Sequence, residues 1–91
     1  MKIGILSDSH LKSDYTKEVI DFLKSVDCEY LVHAGDLCIE RNLELLENSG
    51  LKYIAVFGNN DRNLLQIASK YDIKQEPYYF KIQDIRFKLM H

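Results

Sequence analysis

Two hydrophobic patterns alternate three times along the chain and then give way to a third. Residues 2–7 hold the short continuous run Ile3-Gly4-Ile5-Leu6, the mark of a strand buried on both faces in a parallel sheet. Residues 14–26 then place Tyr15, Val19, Phe22, Leu23 and Val26 at helical spacing, with Ser13 or Asp14 available as N-cap. This predicts an amphipathic helix. The pair recurs as a strand over 29–33 and a helix over 40–49, which carries Leu43, Leu45 and Leu46 and is closed by Asn48-Ser49-Gly50. It recurs once more as a strand over 52–57 and a helix over 63–70 with Leu64, Leu65, Ile67 and Ala68. Beyond Tyr71 the period changes to two: Gln75-Glu76-Pro77 reads as a loop, and residues 78–82 and 85–89 alternate on either side of a Gln83-Asp84 turn. The pattern therefore predicts an α/β fold of three βα units around a parallel sheet, followed by an antiparallel hairpin.

Composition bounds what this fold can be. With 91 residues, 46% hydrophobic and 29% charged, the chain has globular composition and room for one small domain at most. Twelve Lys and Arg against fourteen Asp and Glu give a net charge of −2, so no global basic field points to nucleic acid or a membrane surface. The apolar run after Met1-Lys2 is too short for a signal peptide, and none approaches a membrane span. The expected location is the cytoplasm. Cys28 and Cys38 lack CxxC spacing and lie in apolar-looking surroundings, which favours reduced structural thiols over a disulfide or a zinc pair.

Chemistry collects at the strand ends. The first strand releases Asp8 and His10, the second Asp36 and the third Asn59, Asn60 and Asp61, and the last hairpin strand runs out at His91. Open α/β sheets place ligands at that carboxyl edge. Oxygen and imidazole donors converging there suit a pair of cations roughly 3.5–4 Å apart that share one carboxylate. Gly35 and Gly58 precede two of these groups and give the backbone room to turn. Alone, Asp61 reads as a turn or helix-capping residue. His33, between Val32 and Ala34 inside a strand, reads as a buried histidine that orients Asp36 rather than a ligand. Arg62 is either a phosphate contact by position or a solvated residue at a helix start. Tyr78, Tyr79 and Phe80 read as a sheet face before a base-stacking platform.

Asp8-Ser9-His10, Gly35-Asp36 and Gly58-Asn59-Asn60-Asp61, in that order and separated by helices, resemble the calcineurin-like metallophosphoesterase superfamily. The GNND block is similar to that of its small bacterial and archaeal phosphodiesterase branch, and the resemblance covers all 91 residues. It implies a partial α/β/β/α sandwich, residues 1–91 being the N-terminal part of a single domain that stops before its C-terminal half. It also implies two divalent metal ions, manganese foremost, with nickel, magnesium, zinc or iron as alternatives. Asp8 and His10 would bind the first ion, Asp36 would bridge both, and Asn59 and His91 would bind the second. Asn60 stands where many relatives carry a histidine that protonates the leaving group. The implied activity is hydrolysis of a small phosphate ester.

The resemblance also implies a later Gly-His-x-His block, which this sequence lacks, so the isolated chain is expected to be weakly active or inactive. Residues 87–90 read as a strand that stops at His91 with open apolar surface, which predicts a continuation, a C-terminal-half partner chain or a homo-oligomer. A non-catalytic or split-enzyme half is the alternative function. A flavodoxin-like nucleotide-binding module is a weaker one, carried by the βα repeats alone and lacking a glycine-rich phosphate loop.

Overall fold

Helices, a parallel sheet and a hairpin stack as three layers. The structure, a computed structural model, describes residues 1–91. In chain order the elements are β1 (Lys2–Leu6), α1 (Ser13–Ser25), β2 (Cys28–His33), α2 (Glu40–Glu47), β3 (Lys52–Val56), a 3-10 helix (Arg62–Lys70), β4 (Ile73–Lys74), β5 (Tyr78–Ile82) and β6 (Ile85–Leu89). The sheet has the order β1-β2-β3-β4, parallel throughout, with Ile5 opposite Val32 and Val32 opposite Ile54. β5 and β6 pair antiparallel.

Side chains alternate across the central strands, and each face builds its own core. Leu31, Tyr53, Ala55 and Ile73 face the helical layer and pack with Ile20, Leu37, Leu43, Leu46 and Leu64. Val32, Ile54 and Val56 face the other way and pack with Leu89 of β6, joined by Tyr30, Tyr78 and Phe80. The aromatic residues form the sheet face the alternation predicts: Phe80 stacks on Phe87 at 5.2 Å between ring centroids, while Tyr79 points outward under Lys88. The three βα units and the hairpin thus stand where the hydrophobic pattern places them.

Five details depart from it. β1 is not buried on both faces: it is an edge strand, and Ile5 is 72% exposed. The face of α1 is rotated from the predicted one. Tyr15, Phe22 and Val26 are exposed, whereas Thr16 and Ile20 are buried and Leu23 is half-buried. At Gly4 an added Cβ would lie 2.7 Å from Leu23 Cδ1, so the bare strand backbone lets Leu23 pack close against β1. Neither Ser13 nor Asp14 caps α1. Lys12 occupies that position without a side-chain cap, and the Thr16 hydroxyl donates to its carbonyl at 3.1 Å. The third helix winds as 3-10, whose three-residue turn aligns Leu64 with Ile67 toward the core. β4, two residues long, is too short to show a period.

Candidate metal centre

Left-handed backbone brings the loops after β1 and β2 together. Asp8 (φ +55°), His10 (φ +48°), Asp36 (φ +63°) and Cys38 (φ +64°) all adopt the conformation that L-residues other than glycine seldom enter. In return the two loops continue the β1–β2 pairing beyond the strands. Ala34 N–H donates to Leu6 O, Asp8 N–H to Gly35 O and His10 N–H to Asp36 O, at 2.9, 2.8 and 3.0 Å. Strain of this kind, concentrated where polar side chains meet, marks a functional edge.

Asp8, His10 and Asp36 each offer a ligand atom, and these atoms lie within 4.8 Å of one another. His10 Nε2 stands 3.7 Å from both Asp8 Oδ1 and Asp36 Oδ2. His91, far away in sequence, joins them with Nε2 3.5 Å from Asp36 Oδ2. Its Nδ1 lies 2.9 Å from Ala34 O and its backbone N–H donates to Glu76, so the residue is anchored at two points. The Ala34 carbonyl, then the charges of Asp36, Asp8 and Glu76, raise the His91 pKa against the effect of burial. Two carboxylates and two imidazoles meeting at one edge of the sheet are a donor set suited to divalent cations.

Asp36 is the hub. Burial alone would raise its pKa, but the Asn60 backbone N–H at 3.0 Å and side-chain Nδ2 at 3.2 Å, with His91 and His10, hold the carboxyl below the usual range. Asn60 therefore sits against the carboxylate as a donor. Asn59 beside it is exposed. Gly58 is required by contact rather than by dihedral angle, because a Cβ there would collide with Asp36 N and Oδ1. Gly35 is crowded in the same way: its added Cβ would meet His91 Nδ1 at 2.8 Å and the Gly58 backbone at 3.0 Å.

Asp61, which the sequence marks only as a turn residue, is fully buried. Its Oδ2 accepts from Asp36 N–H and Gly58 N–H, both at 2.8 Å, and its Oδ1 from Cys38 N–H at 2.7 Å. One carboxylate thus ties the β2 loop to the β3 loop. No local signal announces this, since two of the three partners lie more than twenty residues away. Asn42, also buried, donates from Nδ2 to His10 O and Leu37 O at 2.7 Å and pins the His10 loop from below.

His33 meets the site through its neighbours. Gly35 N–H donates to its Nδ1, so Nε2 carries the proton toward Ser9 Oγ at 2.8 Å. Burial pushes its pKa down to about 4, against the pull of Asp61, Asp8 and Asp36, and it is neutral near pH 7. Arg62 is exposed and lines a separate groove of about 200 Å3 with Phe57, Gly58, Asp61, Leu65 and Gln75. The cysteines are both free; Cys28 is buried, but Cys38 is no apolar filler, because its Sγ lies 3.5 Å from His10 Nδ1.

A parallel sheet bearing a carboxylate–imidazole cluster on three loop ends is the frame of a metallophosphoesterase. The chain belongs to the calcineurin-like phosphoesterase superfamily, whose domain profile it matches over residues 1–91. It is 28% identical over 97 aligned positions to phosphodiesterase MJ0936 of Methanocaldococcus jannaschii, covering all of this chain and 58% of that protein. A solved archaeal phosphodiesterase superposes with a TM-score of 0.82 at 28% identity, over the whole chain and 59% of its own. YfcE, a phosphoesterase from E. coli, shares the fold with a TM-score of 0.76 at 24% identity, and 57% of it is covered. The chain therefore spans less than two thirds of each relative's length. No helix is long and apolar enough to cross a membrane.

Proposed function

We propose that residues 1–91 are the N-terminal part of one metallophosphoesterase domain that hydrolyses a small phosphate ester. The observation that carries this reading is the convergence of Asp8, His10 and Asp36 within 4.8 Å in a chain of this superfamily. Asp8, His10 and Asp36 would hold one divalent cation, and Asp36 with Asn59 and His91 a second, with Mn2+ the preferred ion. Divalent cations bound there would supply Lewis acidity and charge neutralisation for phosphate-ester hydrolysis.

The chain's own residues do the rest. Asn60 clamps the Asp36 carboxylate from two nitrogens, and the Ala34 carbonyl fixes the His91 ring with Nε2 toward the cluster. Asn60 has no titrating proton to give, so the leaving group would take its proton from water. Arg62 lines the separate groove beside Gly58 and Asp61, and its position directly after Asn60-Asp61 makes it the candidate phosphate contact. His33 keeps Ser9 and Gly35 in place beneath the ligands. The family match selects this reading over a flavodoxin-like module.

Turnover of bis-p-nitrophenyl phosphate with added Mn2+ is the direct test. Asp36→Ala should abolish it and weaken Mn2+ binding by more than the roughly ten- to a hundredfold typical of outer partners. Turnover that survives Asp36→Ala refutes the assignment. A second reading is favoured by the exposed edge strand β1 and by the greater length of the relatives. In it the chain works only with a partner chain, either a C-terminal half or a second copy. A monodisperse monomer that binds Mn2+ and turns over the ester counts against it.

A further inference from the structure

His91 and His10 present Nε2 to the same oxygen, Asp36 Oδ2, at 3.5 and 3.7 Å. A metal-binding histidine needs its second ring nitrogen held, since the hydrogen bond made there fixes both tautomer and ring orientation. His91 meets that need with the Ala34 carbonyl at 2.9 Å. The atom facing Nδ1 of His10 is Cys38 Sγ, at 3.5 Å, within the longer reach of a sulfur acceptor. We propose that Cys38 is a positioning residue for His10: its sulfur accepts a hydrogen bond from Nδ1–H and so aims Nε2 at Asp8 and Asp36. This inference rests on the metal-centre reading above.

The backbone around Cys38 supports the assignment independently. Its N–H is held by Asp61 Oδ1 at 2.7 Å and its carbonyl by Asn63 Nδ2 at 2.8 Å, so the residue is clamped on both sides. Between these clamps it adopts φ +64°, where Gly or Asn would sit with less strain. A cysteine serving only to fill space gains nothing from that conformation. The clamps and the left-handed turn together deliver the thiol to the imidazole. In effect the sulfur replaces the carboxylate, carbonyl or water that commonly holds such a ring.

Two variants of the full chain separate this role from a structural one, with Mn2+ affinity measured by calorimetry and the melting temperature of the metal-free chain measured beside it. Cys38→Ala keeps the backbone as strained as before and deletes the acceptor. It should leave the melting temperature nearly unchanged and weaken Mn2+ binding about tenfold. Cys38→Asn restores an acceptor on a side chain that tolerates this conformation. It should bring the affinity back to within a factor of about three and raise the melting temperature. Parental affinity in Cys38→Ala overturns the proposal, as does an Asn variant no tighter than the Ala variant. Failure of the parent chain to bind Mn2+ overturns the metal-centre reading and this inference with it.

Discussion

Removing the Asp61 carboxylate should unfasten the candidate site and take much of the chain's stability with it. Asp61 is fully buried and accepts three backbone N–H groups at 2.7 to 2.8 Å. Hydrogen bonds to a charged acceptor contribute about 1.5–3 kcal/mol each, and their loss strands one buried and two part-buried donors. Part of the sum is offset because the variant no longer buries a charge, which leaves a net cost of about 3–5 kcal/mol for Asp61→Ala. A chain of 91 residues has about 5–14 kcal/mol in total. Asp61→Asn is the sharper perturbation, since it keeps the shape. Its oxygen can still serve Asp36 and Gly58, but its amide must face the Cys38 N–H, donor against donor. About 2–3 kcal/mol should be lost, or roughly 10–15 °C in melting temperature for a chain of this size. Thermal unfolding followed by circular dichroism measures it. An Asn variant that melts within about 3 °C of the parent would refute the idea that the charge, rather than the shape, holds the loops.

Other consequences are read by the same kinds of assay. Gly58→Ala puts a methyl group into Asp36, and should cost about 1–3 kcal/mol of stability together with most of the Mn2+ affinity. His33 predicts acid sensitivity: with its pKa lowered from 6.5 to about 4, the folded state refuses a proton that the unfolded chain accepts. Stability from this group is complete above pH 6.5 and is lost as pH falls toward 4, to a total of about 3 kcal/mol. Denaturation curves between those limits should show that slope in the parent and not in His33→Asn; an unchanged slope would assign the acid sensitivity elsewhere.

The sequence made the three βα units legible for a physical reason. Strands covered on both faces must be apolar along their length, and Leu31-Val32 and Tyr53-Ile54-Ala55-Val56 serve two different cores. The same logic misjudged β1, because Ile3-Gly4-Ile5-Leu6 has the composition of a central strand while lying at the edge. α1 carries apolar residues on more than one stripe, so periodicity alone could not choose the inward one. Asp8, His10 and Asp36 were visible because ligands follow strand ends. Asp61 and Cys38 were not. Their partners come from loops brought together only by the parallel pairing of β1, β2 and β3, a relation no local spacing encodes.

That a single side chain satisfies amides from two loops has a kinetic corollary. Displacement of the Asp61 carboxylate releases the N–H groups of Asp36, Cys38 and Gly58 together. They should exchange with deuterium as one cooperative unit, with a common opening free energy, although Gly58 is separated from the other two by the whole of α2 and β3. Neighbours outside this unit, such as Ile39 and Asn59, would exchange on schedules of their own. The two loops thus open and close together, as one body.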